Sequence, residues 1–262
     1  MTDPADQDAS PRDGAAVSLT SLRPGYRAAV IGARGAIGGA IAAALEADQR
    51  CGGVLRLARS AERAEDRVDL LDEPSIEAAA ARARAVGPLD LLFIASGGLR
   101  LARPDGGVFE PEKALSKLEP QALAAQMALN AIGPALALKH FAKAFDRRER
   151  GLIGALSARV GSIGDNRLGG WHGYRAAKAA LNQLLRTSAV ELRRTHPALI
   201  LAALHPGTVE SPLSAPFRPG GAAEPGIFGA DESAARLLSV LDQLTAAESG
   251  GFFDYAGAPI PW

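Results

Sequence analysis

The sequence predicts an α/β fold: a single doubly wound domain whose mostly parallel seven-stranded sheet carries helices on both faces. Three observations predict it. From Tyr26 onward, short apolar runs alternate with longer Ala- and Leu-rich segments. The first apolar run ends in a cluster of glycines that opens a helical segment. The 262 residues are enough to bury one sizeable core, with 47% of them hydrophobic and 22% charged. Strands alternating with helices join through right-handed crossovers into a parallel sheet.

Residues 1–22 are rich in Asp, Pro, Ser and Gly and lack hydrophobic periodicity, so a disordered tail is expected there, ahead of one domain over 23–262. Strands are expected at 27–32, 54–58, 67–70, 89–95, 152–156, 199–204 and 251–253. Continuous apolar runs of this length suit strands buried on both faces. Helices are expected at 36–47, 75–85, 120–145, 174–195 and 231–244. Asp72 or Ser75 can cap the second of these and Asp231 the last.

Charge narrows the function classes. Lys plus Arg number 29, as do Asp plus Glu, so no net field favours nucleic acid or an acidic membrane. One cysteine, Cys51, excludes an internal disulfide and fits a reducing compartment. No apolar run reaches the roughly 20 residues that span a bilayer, and the N-terminus has no basic-then-apolar leader pattern. A cytoplasmic protein is expected. His140, His172, His196 and His205 lack metal-ligand spacing and read as surface or packing residues, so no metal is expected.

The glycine cluster is Gly32-Ala33-Arg34-Gly35-Ala36-Ile37-Gly38. Glycine lets the backbone turn tightly and approach a pyrophosphate, which the free N–H groups of the helix N-terminus then bind. At the first strand of a βαβ pattern this is the fingerprint of a Rossmann-type dinucleotide site. The second strand ends Leu57-Ala58-Arg59-Ser60 without the acidic residue that would hold ribose hydroxyls. Arg59, with Arg34, suits a 2′-phosphate instead, which favours NADP(H) over NAD(H).

Tyr174 and Lys178 stand four residues apart in a helical stretch and share one face. An ammonium beside a phenol stabilises the phenolate and is expected to lower its pKa towards neutrality. That suits Tyr174 as general acid for a carbonyl oxygen.

The glycine loop, Asn130 in Leu129-Asn130-Ala131-Ile132-Gly133-Pro134, the Tyr174/Lys178 pair and His205-Pro206-Gly207-Thr208-Val209 follow one another in that order. The set resembles the short-chain dehydrogenase/reductase family, over nearly everything from Tyr26 to Trp262. Residues 156–163, Gly169-Gly170-Trp171 and Ile260-Pro261-Trp262 resemble most the carbonyl reductases of the sniffer and C-factor type. The resemblance implies an NADP(H)-dependent oxidoreductase that moves hydride between the nicotinamide and a small carbonyl or alcohol substrate. It also implies a homodimer or homotetramer built on the two long helices that flank the fifth strand. Tyr174 would then donate the proton, and Lys178 would hold the nicotinamide ribose and tune Tyr174. Asn130 would hold a water linking Lys178 to solvent. Asp69, followed by Leu70, matches an adenine contact. Ala95, Ser96 and Gly97 leave room for the cofactor after the fourth strand. Pro206, Gly207, Val209 and Ser211 would shape the nicotinamide pocket.

Three departures from the family pattern stand out. Ile94-Ala95-Ser96-Gly97 replaces Asn-Asn-Ala-Gly, removing an amide that braces the site. Ala36 stands where many relatives carry Gly. Ala158 stands where the substrate-orienting Ser is expected, leaving Ser157 and Ser162 as alternative hydroxyls. The Pro/Gly-rich stretch 210–221, followed by Ile227-Phe228, is the expected substrate lid. Ala158 and the lost Asn-Asn motif also motivate a second expectation, a dinucleotide-binding signalling or redox-sensing protein with little catalysis.

Overall fold

The computed structural model describes residues 17–209 and 227–262. In chain order these form β1 (Tyr26–Ile31), α1 (Ala36–Ala47), β2 (Cys51–Leu57), α2 (Glu73–Val86), β3 (Leu91–Ile94), β4 (Leu101–Ala102) and β5 (Val108–Phe109). They continue with α3 (Pro120–Met127), a π-helical turn (Ala128–Ile132), α4 (Gly133–Phe141), β6 (Gly151–Leu156), α5 (His172–Leu192) and β7 (Leu199–His205). The last elements are β8 (Thr208–Val209), β9 (Ile227–Phe228), α6 (Ala230–Gln243) and β10 (Gly251–Asp254).

The main sheet has the order β10-β7-β6-β3-β1-β2, and every pairing in it is parallel. Alternation along each strand feeds two cores. Ala29, Ile31, Leu92, Ile94, Ile153 and Leu201 face Ala79 of α2, Phe141 of α4 and Leu185 of α5. Ala28, Val30, Leu91, Phe93, Leu152 and Ile200 face Ile41 and Leu45 of α1 and Leu237 and Leu241 of α6. The chain leaves β1 for β2 on one side and returns to β3 on the other. A crevice therefore opens beyond the C-terminal ends of β1 and β3, where such sheets bind ligands.

Several expectations need correction. The sheet has six strands among the described residues rather than seven, because the run 67–70 makes a single bridge, Arg67 to Ala58. Its local hydrogen bonds compete with a ladder: Asp69 Oδ1 accepts the Leu71 N–H at 3.0 Å, and the Ser75 hydroxyl accepts that of Asp69. Ser75 is thus no cap. Asp72 holds the N-cap position of α2 without a side-chain bond, and the N-cap of α6 is Gly229, with Asp231 in the first turn.

The tail expected to run loose to residue 22 is packed where it is described. Leu19 and Leu22 are buried against α1 and α6. Asp48 accepts the Leu19 N–H and the Tyr26 hydroxyl, both at 2.9 Å, and Asp242 accepts the N–H groups of Thr20 and Ser21. Residues 1–16 and most of the expected lid, 210–226, lie outside the described residues. The helical run Pro120–Ala144 is, contrary to expectation, long and apolar enough to cross a membrane by length and composition. In this fold it packs against α2 and α5 as a helix of the domain.

Candidate active site

The glycine turn is fixed by backbone sterics. Gly32 has φ +88°, and its N–H and that of Ala33 both donate to Leu57 O, at 2.8 and 3.1 Å. A Cβ on Gly32 would lie 2.8 Å from Ala95 O, and one on Gly38 would lie 2.3 Å from Gly32 O. Only glycine permits either approach. The turn delivers the chain into α1, whose N-cap Gly35 has no side-chain bond and whose first turn has no acidic residue. The N–H groups at that end keep their positive potential for an anion.

In front of them lies a groove of about 310 Å³, lined by Gly32, Arg34, Gly35, Ala95, Ser96 and Gly97. Arg59, Ser60, Val68, Asp69 and Leu70 line it as well. Arg59 is exposed and has no ion-pair partner among the described residues. Arg34 pairs with Glu62 at 3.2 Å, both largely exposed, so that contact is weak. A turn that a Cβ would fill, a bare helix N-terminus and an unpaired guanidinium fit a phosphorylated dinucleotide. Ala36 and Ile37 open α1 just behind the turn.

Beside the groove stands the candidate pair, Tyr174 and Lys178. Tyr174 lies in the first turn of α5 and Lys178 one turn later, both buried. Lys178 Nζ is 5.7 Å from the Tyr174 ring centroid and donates to Leu156 O at 2.8 Å. The expected direction for the phenol is reversed. Burial pushes Tyr174 up to about 12 and draws Lys178 down to about 8. Desolvation disfavours the charged form of each group.

Asn130 sits in the π-helical turn, a distortion that commonly marks functional positions. Its Oδ1 accepts the Gly98 N–H at 3.0 Å, and its Nδ2 donates to Gly98 O at 2.9 Å and to Gln126 Oε1 at 2.7 Å. Both amide hydrogens are therefore committed to protein, which leaves a water only the second lone pair of Oδ1. A Cβ on Gly97 would lie 2.8 Å from Asn130 Oδ1 and 3.3 Å from Lys178 Nζ. The loop after β3 is thus pressed between Asn130 and Lys178. Asn130 braces the segment that lost its own amide.

Neither candidate serine keeps its proton for a substrate. Ser157 is buried and donates to Asn182 Oδ1 at 2.6 Å, because alternation past the end of β6 turns it towards α5. The Ser162 hydroxyl donates to Pro261 O and accepts the Asp165 N–H. Ala158 begins the short turn that contains Arg159, itself paired with Asp165 and Asp254.

Beyond β7, Pro206 O accepts the Ser233 hydroxyl, Gly207 faces Phe228 and Tyr255, and Val209 is buried. Ser211 lies outside the described residues. His205 is half-buried, and desolvation draws it down to about 4, so it is neutral. No group of three His, Cys, Asp or Glu able to hold a metal occurs among the described residues.

Sequence reasoning missed Glu112 and Gln126. Glu112 contacts the start of α5, and Gln126 links Asn130 to Leu99 O. Their partners are distant along the chain, so no local pattern flags them. The β4–β5 hairpin that carries Glu112 inward was also missed, although Pro104-Asp105-Gly106-Gly107 is a turn signal.

Residues 27–221 match the short chain dehydrogenase family model. Similar proteins include C-signal of Myxococcus xanthus, 31% identical over 67% of this chain and 94% of that protein. Another is 1-hydroxy-2-glutathionyl-2-methyl-3-butene dehydrogenase of Rhodococcus sp. (strain AD45), 30% identical over 74% of this chain and 78% of that protein. Among solved structures, a short-chain dehydrogenase/reductase from Burkholderia multivorans with bound NADP superposes with TM-score 0.70 at 26% identity, covering 91% of this chain and all of that one. The NADPH-bound carbonyl reductase from chicken fatty liver shares the fold, with TM-score 0.72 at 24% identity over 92% of this chain and 95% of that one.

Proposed function

Because the chain belongs to the short-chain dehydrogenase family, we propose that it is an NADP(H)-dependent oxidoreductase acting on a small carbonyl compound or the matching alcohol. The observation that carries this reading is the buried Tyr174–Lys178 pair, set against the Gly97 wall of the dinucleotide groove. When bound, the dinucleotide supplies or accepts the hydride. At neutral pH Tyr174 is a protonated phenol, ready to donate to a carbonyl oxygen as charge develops there. Lys178, charged below about pH 8, stabilises the phenolate left behind. Asn130 keeps the groove wall and Lys178 in register through Gly98.

Arg59 is the residue we assign to a 2′-phosphate, supported by its place at the groove and by the lack of an ion-pair partner among the described residues. Asp69 and Leu70 would border the adenine, and Pro206, Gly207, Val209 and Ser211 the nicotinamide. Exposed Ile132, Leu184 and Val190 on the helices flanking β6 support a homodimer or homotetramer. The balanced charge and single cysteine support a cytoplasmic enzyme with neither nucleic-acid nor membrane partner.

The test is NADPH oxidation with a panel of aldehydes, ketones and quinones, using wild type and Tyr174→Phe with binding confirmed in each. Turnover lost in the variant, with NADPH still bound, is the expected result. Unchanged turnover would remove Tyr174 from the mechanism. A second reading, a dinucleotide-binding signalling protein, is favoured by the likeness to C-signal. It predicts NADPH binding without consumption on any carbonyl.

A further inference from the structure

The helix that carries Tyr174 and Lys178 begins without a cap of its own. Its N-cap residue is Trp171, which has no side-chain oxygen and makes no side-chain capping bond. Trp171 is also the one non-glycine with positive φ among the described residues, at φ +52°. A bulky side chain is unfavourable there unless its surroundings hold the backbone in place. Glu112 supplies both missing functions from a segment about sixty residues away. Its carbonyl accepts the Trp171 N–H, and its carboxylate Oε2 accepts the Gly173 N–H at 3.2 Å. Gly173 occupies the second helical position, whose N–H an N-cap side chain normally takes. Tyr174 is the next residue.

Glu112 is 6% exposed, and its second oxygen, Oε1, is buried without a hydrogen-bond partner. Burying a carboxylate this way is costly, and a surface cap would serve helix stability at less expense. The positive end of α5 offsets part of that cost.

We propose that Glu112 is a positioning residue: it caps α5 in trans and thereby fixes the placement of Tyr174 for proton transfer. The proposal rests on the oxidoreductase reading above. What it requires of residue 112 is a hydrogen-bond acceptor at Oε2, not a negative charge. Glu112→Gln keeps that acceptor and can turn its NH₂ to the Oε1 side. Glu112→Leu fills a similar volume and accepts nothing.

The experiment compares the two variants with wild type for NADPH affinity, kcat and amide exchange over residues 171–178. In the Leu variant kcat should fall about 10- to 100-fold, the range a displacement of about 1 Å commonly costs. NADPH affinity should stay within about twofold, since the glycine turn is untouched, and exchange at Gly173 and Tyr174 should quicken. Gln should restore both kcat and slow exchange. Wild-type kcat in the Leu variant would overturn the proposal. So would a Gln variant as impaired as Leu, or a loss of NADPH affinity that matches the loss in kcat. Should Leu fail to fold, Glu112→Asp carries the test: its acceptor stands one methylene short, so kcat should drop with charge retained, and an unchanged kcat refutes the idea. If wild type consumes no NADPH with any carbonyl, the oxidoreductase reading fails, while the exchange measurement still decides whether Glu112 caps α5.

Discussion

Lys178→Met should make the protein inactive and, near neutral pH, more stable. Burial lowers the lysine from its ordinary 10.5 to about 8, a displacement worth roughly 3 kcal/mol of unfavourable burial. Below pH 8 the amine is charged in both the folded and unfolded chain, so the whole cost is present. Between pH 8 and 10.5 the unfolded chain holds a proton the folded one has lost. Wild-type stability therefore rises with pH across that window, and above it the cost is gone. At pH 10 about 1 kcal/mol remains. Methionine has a similar length and no charge, but it gives up the bond from Nζ to Leu156 O, worth about 1 kcal/mol. The variant should thus gain about 2 kcal/mol at pH 7, and the gain should vanish by pH 10. Tyr174 ionises in the unfolded chain above pH 10 and lowers stability there, but equally in both proteins to first order. Urea unfolding without dinucleotide, at pH 7 and pH 10, measures the difference. A variant less stable than wild type at pH 7, or an advantage that does not change with pH, would refute the reasoning.

Three further outcomes follow from the geometry. Gly38→Ala puts a Cβ 2.3 Å from Gly32 O, so the turn must shift at a cost of about 1–3 kcal/mol. Affinity for NADPH and NADH alike should fall at least about tenfold by fluorescence titration. Arg59→Ala should weaken NADPH about tenfold and leave NADH unchanged, since it removes one charge-assisted contact to a phosphate; equal effects on both would move the 2′-phosphate elsewhere. Leu19→Ala removes a fully buried side chain and should cost about 2–5 kcal/mol in urea unfolding, with turnover per folded molecule unaltered. A cost near zero would mean that the segment is not packed in solution.

The sequence by itself determined what local patterns encode. Glycine spacing specified the turn into α1, because a tight bend needs backbone freedom that only those residues have. The order of strands and helices followed from apolar runs, and the shared face of Tyr174 and Lys178 from helical periodicity. Tertiary structure decided the rest. The run 67–70 kept strand-like composition yet lost its ladder to the side chains of Asp69 and Ser75. Leu19 and Leu22 are too few for periodicity, and only α1 and α6 give them something to pack against. Ser157 and Ser162 look available in sequence but are taken by Asn182 and Pro261. The pKa of Tyr174 moves upward because desolvation is a sum over neighbours from many segments, whereas the lysine one turn away is the single neighbour that the sequence displays. Periodicity and turn chemistry act within a few residues and can be read along the chain. Burial, capping by Glu112 and the bracing of Gly98 by Asn130 join residues about thirty to sixty positions apart, so they come into being only when the chain closes on itself.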